Sequence, residues 1–216
     1  RRKAPTRWAS VAFRLGRRLG ASRSPLGALP LAPDTLRAWR LAYPRAYARH
    51  VERAAGKQSL PSALLFGVMR EESGFDPAAF SPAHAVGLMQ LLAPTAERFA
   101  ARAGIEGTVG RRRLQRPSVN VAIGAAYLRF LADRYPDRLA LLPAAYNAGE
   151  ARLDRWLLER GDLPLDRFIE SIPFEQTRTY LMRVVSSWAA YHALWGDAPG
   201  GEPLPVVDPS APARPD

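Results

Sequence analysis

The chain has 216 residues and no cysteine. No disulfide and no thiolate metal site is therefore available, and the compartment is left open, an oxidising one included. No apolar run approaches the roughly 20 residues that span a bilayer. Metal-ligand spacings and glycine-rich phosphate loops are also missing, so no cofactor and no metal is expected. Acidic residues are scarce beside basic ones, 20 against 31, for a net charge of +11.

That charge looks like a nucleic-acid signal until it is located. Residues 1–23 hold eight basic side chains and no acidic one, which leaves 23 basic and 20 acidic residues, a net of +3, on the rest. The body is only mildly basic, and no nucleic-acid motif accompanies it. A second cluster, Arg111 to Arg113 with Arg116, reads as a solvated loop. Trp8, Val11, Ala12, Leu15 and Leu19 recur at helical spacing, interrupted by Arg14, Arg17 and Arg18. The pattern fits a basic amphipathic helix better than a signal peptide, either lying on a membrane surface or, the preferred reading, forming the last helix of an upstream region. The chain begins with Arg1 rather than Met, which predicts a fragment of a longer protein.

What is present is helix. Hydrophobic residues make up 47% of the chain, enough for one core. Gly and Pro punctuate short helical periods with little strand alternation. Asp34 can cap a helix carrying Leu36, Trp39 and Tyr43, which Pro44 interrupts. Ser59 and Pro61 suit the start of a helix over 61–73 that Gly74 and Pro77 stop. Further helices are predicted from Pro94 to Ala103, from a cap at Ser118 to just before Pro136, up to Gly149, and from Arg152 to Glu159. In a last long helix Thr177, Leu181, Val184, Trp188, Tyr191 and Trp195 form a core stripe. The reading is an all-α globular domain over 34–196, preceded by a basic arm (1–33) and followed by a disordered Pro/Ala/Gly-rich tail (197–216).

The 61–73 helix holds the most informative residue. At ~100° per residue from Leu64, Val68 falls at ~40°, Leu65 at ~100° and Met69 at ~140°. Glu72, at ~80°, lies inside this apolar arc; Glu71, at ~340°, lies at its edge, and Arg70, at ~240°, faces outward. A buried carboxyl resists ionisation, which suits a general acid near neutral pH. Glu72 is therefore the candidate acid and Glu71 is expected in solvent. Among other carboxylates, Asp76 suits a turn, and Glu150 and Asp154 suit the first turns of a helix.

Several separate segments then line up in order: Arg70-Glu-Glu-Ser73, Ser81-Pro82, Gly87-Leu-Met-Gln90, Thr95-Ala96, Asn120 with Gly124-Ala125 and Tyr127-Leu128, Ala145-Tyr-Asn-Ala-Gly149, and Ile172-Pro-Phe174 with Thr177-Arg178 and Tyr180. Together, over about residues 34–195, they resemble the catalytic domain of the soluble lytic transglycosylases of bacterial cell walls. The resemblance implies a lysozyme-like helical fold with a substrate cleft. It also implies cleavage of the MurNAc-β-1,4-GlcNAc bond of peptidoglycan to leave 1,6-anhydro ends. Glu72 then corresponds to the single catalytic acid and base, while Ser73, Met89, Gln90, Tyr146 and Asn147 correspond to residues lining the sugar groove. Tyr146 is a candidate hydrogen-bond partner for Glu72 or the substrate acetamide; an aromatic core residue with its hydroxyl on backbone is the alternative. Peptidoglycan glycan strands are the implied partner, a monomer the expected state, and the periplasm or cell envelope the implied location.

The chain departs from the family pattern at three places. His84 stands where glycine is usual, Leu92-Ala93-Pro94 shifts a proline by one, and Gln176 replaces the glutamate of Glu-Thr-Arg in the cleft, with Glu175 next to it. A hydrolytic muramidase and a catalytically impaired peptidoglycan-binding domain are the competing readings, and a nucleic-acid binder is the weakest.

Overall fold

Glycine and proline divide the chain into helices, and the structure, a computed structural model, largely follows those divisions. It describes residues 33–136 and 138–196 together with Ala213. The expected arm and tail lie outside the described residues, save Pro33 and Ala213. The helices are α1 (Pro33–Ala42), α2 (Ala48–Gln58), α3 (Ser62–Ser73), α4 (Ala93–Ala103), α5 (Arg111–Leu114) and α6 (Pro117–Arg134). After a 3-10 turn at Leu139–Leu141 come α7 (Leu142–Ala148), α8 (Glu150–Arg160), α9 (Leu165–Ser171) and α10 (Glu175–Trp195). Only isolated bridges, Phe80 with Val86 and Val86 with Leu91, break the helical pattern among the described residues.

The expected helix starts need correcting. Ser59 caps nothing at α3; it closes α2 in a left-handed conformation (φ 50°), and Pro61 takes the N-cap position. Pro117 at the first turn, not Ser118, begins α6, which its fixed φ suits. Asp34 lies inside α1, one residue after its start, and α8 begins at Glu150 rather than Arg152. The sequence reading predicts no helix at α2, α5 or α9. The buried face of α2 is Val51, Ala54 and Ala55, and alanine marks a buried face weakly. The supposed loop at Arg111 forms α5, anchored by buried Leu114.

The core is organised around α3, which packs most extensively on α10. Leu64, Leu65, Phe66, Val68 and Met69 are all buried, each such side chain contributing about 1.5–3 kcal/mol. Thr177, Leu181, Val184, Trp188 and Tyr191 of α10 are buried as its stripe predicts. Gly67 permits this contact: a Cβ there would lie 3.1 Å from Trp188 N and 3.2 Å from Val184 O. Because α3 is enclosed on all sides, Arg70 does not face solvent as the wheel suggests. It is buried, with Nε donating to Ala42 O (3.3 Å), Nη1 to Ser187 Oγ (3.1 Å), an ion pair to Glu71, and its guanidinium 4.2 Å from the Tyr43 ring centroid.

Candidate active site

Gly74 ends α3 in the left-handed conformation (φ 56°), its N–H donating to Arg70 O at 3.1 Å, so Glu72 sits in the last turn. The Tyr180 hydroxyl on α10 donates to Glu72 Oε1 at 2.5 Å. Burial pushes the Glu72 carboxyl up; the Tyr180 hydrogen bond pulls it back and nearby Glu71 pushes it up again, to about 7. Burial and the Glu72 charge hold Tyr180 well above its ordinary value, so it remains a donor. The ordered motifs include Tyr180 but give it no role, so the motif set is the sequence signal and the contact with Glu72 is what the structure adds.

Tyr146, the expected partner of Glu72, instead donates to Met89 O at 2.7 Å. The backbone-capped alternative is thus the geometry present. Burial and the charge of Glu72 nevertheless raise its hydroxyl well above the ordinary value. Met89, expected to line the groove, is fully buried, and its side chain lies against Gly124 where a Cβ would fit only 2.3 Å from Sδ. It contributes a carbonyl to the Tyr146 contact, not a side chain to a groove wall. Ser73 Oγ donates to Leu88 O (2.8 Å) and accepts from Phe75 N (3.2 Å), fastening the end of α3 to the Gly87–Gln90 loop.

Gly87 is required at the turn of that loop. It has φ 80°, and a Cβ would come within 2.5 Å of Asn120 Nδ2 and 2.7 Å of Leu114 O. Asn120, fully buried on α6, accepts from Met89 N (2.8 Å) and donates to Val86 O and Leu114 O (both 2.9 Å). One amide therefore satisfies three backbone groups, of which Val86 O also accepts from Leu91 N at 3.1 Å. Gln90 (φ 45°) donates to Gly87 O (2.9 Å) and Ala79 O (3.3 Å), so its nitrogen stiffens the loop. His84 is exposed with φ 64°, its ring edge-on to Phe80 at 5.5 Å. That left-handed backbone is the physical reason glycine suits this position.

A cavity of about 440 Å³ opens on the α10 side, lined by Glu71, Asn147, Glu175, Gln176, Tyr180 and Arg183 among others. Tyr180 is the residue the cavity shares with Glu72. Asn147 is exposed, its Oδ1 accepting from Thr177 Oγ1 at 2.8 Å. Asn147 and Gln176 thus share one wall of the cavity; Ser73, Met89 and Gln90 are joined to each other by the loop instead.

The carboxylates weighed from the sequence beside Glu72, namely Glu71, Glu150, Asp154 and Asp76, are engaged, while Glu175 is exposed on the cavity wall. Glu71 is not in solvent: its side chain is 10% exposed, paired with Arg70 and accepting from Ser187 Oγ at 2.6 Å. Burial alone raises Glu150, but Arg98 outweighs it and holds the group below its ordinary value. Asp154 is held low by Arg134, with Tyr135 donating at 2.8 Å. Asp76 Oδ1 accepts from Ala78 N (2.9 Å), a turn contact as expected. Among the described residues no three His, Cys, Asp or Glu converge as metal ligands, and no helix is long and apolar enough to cross a membrane.

A half-buried glutamate at a helix end, held by a tyrosine, thus stands inside an all-α domain, and solved structures share that fold. The 70 kDa soluble lytic transglycosylase from Escherichia coli superposes with a TM-score of 0.72 at 28% identity, covering 96% of this chain and 32% of that one. An inactive mutant, glutamate replaced by glutamine, of lytic transglycosylase Slt from Pseudomonas aeruginosa gives 0.67 at 30%, covering 89% and 36%. In sequence, the soluble lytic murein transglycosylase of Escherichia coli K12 is 33% identical over 158 residues, 73% of this chain and 24% of that protein. The transglycosylase SLT domain model matches residues 49–169, and the chain belongs to that family. It spans about a quarter of the length of the curated relatives it matches first.

Proposed function

We propose that this domain is a peptidoglycan lytic transglycosylase, cutting the MurNAc-β-1,4-GlcNAc bond without water and leaving 1,6-anhydroMurNAc. The observation that carries the reading is Glu72: half-buried, held by Tyr180, raised to about 7, and accompanied by no disengaged carboxylate on α3. Glycoside hydrolysis ordinarily takes two carboxyl groups, and substrate-assisted chemistry takes fewer. Protonated Glu72 donates to the glycosidic oxygen while the 2-acetamido group of muramic acid stabilises the positive charge at C1. Ionised Glu72 then accepts the proton of the 6-hydroxyl as that oxygen bonds to C1. The first step releases a proton from Glu72 and the second returns one, so a group titrating near 7 serves both.

Ser73, Met89, Gln90, Tyr146, Asn147 and Gln176 are assigned to the groove. Asn147 and Gln176 contact sugar amides and hydroxyls from the cavity wall, and the others act by fixing the loop opposite. The names of the relatives support the substrate, and the inactive glutamate-to-glutamine form of the Pseudomonas enzyme supports dependence on one glutamate. The partner is the glycan strand, the location the cell envelope, and the state a monomer. Digested sacculi analysed by mass test the reading: muropeptides one water lighter than reducing-end products are expected from wild type, and none from Glu72→Gln. Reducing ends alone identify a muramidase; no release by either protein identifies a binding domain.

A further inference from the structure

One wall of the cavity beside Glu72 is a single stripe of α10. Glu175, Gln176, Thr179, Tyr180 and Arg183 all line it, at a spacing that keeps them on one face of the helix. Tyr180 commits its hydroxyl to Glu72. Among the described residues the side chains of Glu175, Gln176, Thr179 and Arg183 have no hydrogen-bond or ion-pair partner, whereas Arg70, Arg98 and Arg134 each hold a carboxylate. The stripe is also dipolar. Glu175 stands at its N-terminal end and Arg183 at its C-terminal end, about 12 Å apart along the axis, with neutral donors and acceptors between. Both charged side chains are exposed, so the packing of α10 on α3 does not use them.

We propose that Glu175, Thr179 and Arg183 bind the peptide arm of muramic acid, Arg183 recognising its free carboxylate and Glu175 its ammonium, an assignment that rests on the reaction given to Glu72 above. Glu72 acts at C1 of muramic acid, and the arm leaves C3 of the same ring through a lactyl ether. The arm therefore starts beside the acid, within reach of the wall that Tyr180 shares with it. Its D-glutamate is linked through the γ-carboxyl, which leaves the α-carboxylate free, and the diamino acid that follows carries an ammonium wherever it is not cross-linked. In an extended arm these charges lie on the order of 10 Å apart, close to the spacing of the stripe. The cavity, about 440 Å³, falls within the roughly 300–1,000 Å³ that holds a small ligand. Arginine suits its end because the planar guanidinium can donate two hydrogen bonds to one carboxylate. Asn147 and Gln176 keep the sugars, and strands with uncross-linked arms become the preferred substrate.

The test is a cycle between ligand and protein, with affinities read by NMR titration of the full chain carrying Glu72→Gln, so that no turnover intervenes. The probe is GlcNAc-MurNAc-L-Ala-γ-D-Glu-L-Lys with a C-terminal amide, which has one free carboxylate and one ammonium. It is compared with the same compound amidated at the D-glutamate carboxylate, and with the same compound acetylated at the lysine amine. Amidation is expected to weaken binding by about three- to tenfold where Arg183 is present and to cause no further loss in Arg183→Met. Arg183→Lys should recover part of the difference, and Arg183→Gln carries the comparison if Arg183→Met does not fold. Acetylation and Glu175→Gln should be coupled in the same way. Amidation that weakens Arg183→Met as much as its parent, or a probe that does not bind, overturns the peptide site. Coupled losses together with reducing-end products from sacculi contradict the reaction assigned to Glu72 and leave the peptide site standing.

Discussion

At the scale of the residue, moving Glu72 from an ordinary 4.5 to about 7 has a cost as well as a use. The folded state binds this proton more tightly than the unfolded chain does. Its contribution to stability is fully present below about 4.5, declines as the unfolded carboxyl ionises, and is lost once pH passes about 7. At about 1.4 kcal/mol per pH unit the full swing is on the order of 3 kcal/mol. Glu72→Gln should therefore be more stable than wild type at pH 8, by roughly 1–3 kcal/mol in urea unfolding, and lose the advantage near pH 4. Equal stability at both values contradicts a strained acid. Tyr180 acts in the opposite sense, since its hydrogen bond favours the ionised carboxylate. In Tyr180→Phe the alkaline limb of kcat/KM should move upward, by about half to one pH unit, as measured across a pH series; an unmoved limb removes Tyr180 from the site.

At the scale of the element, two contacts determine whether Glu72 and its surroundings meet. Gly67 lets α3 and α10 approach, and the atoms a Cβ would crowd, Trp188 N and Val184 O, are backbone that has little room to yield. Gly67→Ala gains about 1 kcal/mol of helix propensity but loses about 1–3 kcal/mol to overpacking. A net fall in melting temperature is expected, with a larger fall in kcat as Tyr180 shifts from Glu72. Asn120→Ala strands the N–H of Met89 and the carbonyl of Leu114; at about 1–3 kcal/mol for each buried group it should cost more stability than Gly67→Ala. Thermal melting ranks the two variants. The sequence made α10 and the Glu72 helix legible because their ends carry glycine and proline and α10 repeats cleanly. It misassigned Arg70 and Glu71 because a helical wheel assumes one dry face, and α3 has no wet one. It missed α2 because alanines form its buried face.

At the scale of the whole molecule, the ordered motifs specified the all-α fold and the family, and most of them turn out to be scaffold. Gly87, Asn120, Gln90 and Ser73 build a loop, and Tyr146 fastens it to α7. The site proper is smaller than the motif set: Glu72, Tyr180, Glu71 behind them and the cavity wall at Asn147 and Gln176. The motifs name Tyr180 without its partner, and the wheel puts Glu71 in solvent, because both contacts depend on how α3 meets α10, a long-range packing that no local period encodes. The central claim is that one carboxyl group works without water. Digestion of sacculi in oxygen-18 water tests it most directly. The account predicts released muramyl ends that carry no solvent oxygen, because the 6-hydroxyl closes onto C1. Products with oxygen-18 at C1, lost in Glu72→Gln, would contradict it and make the domain a hydrolase.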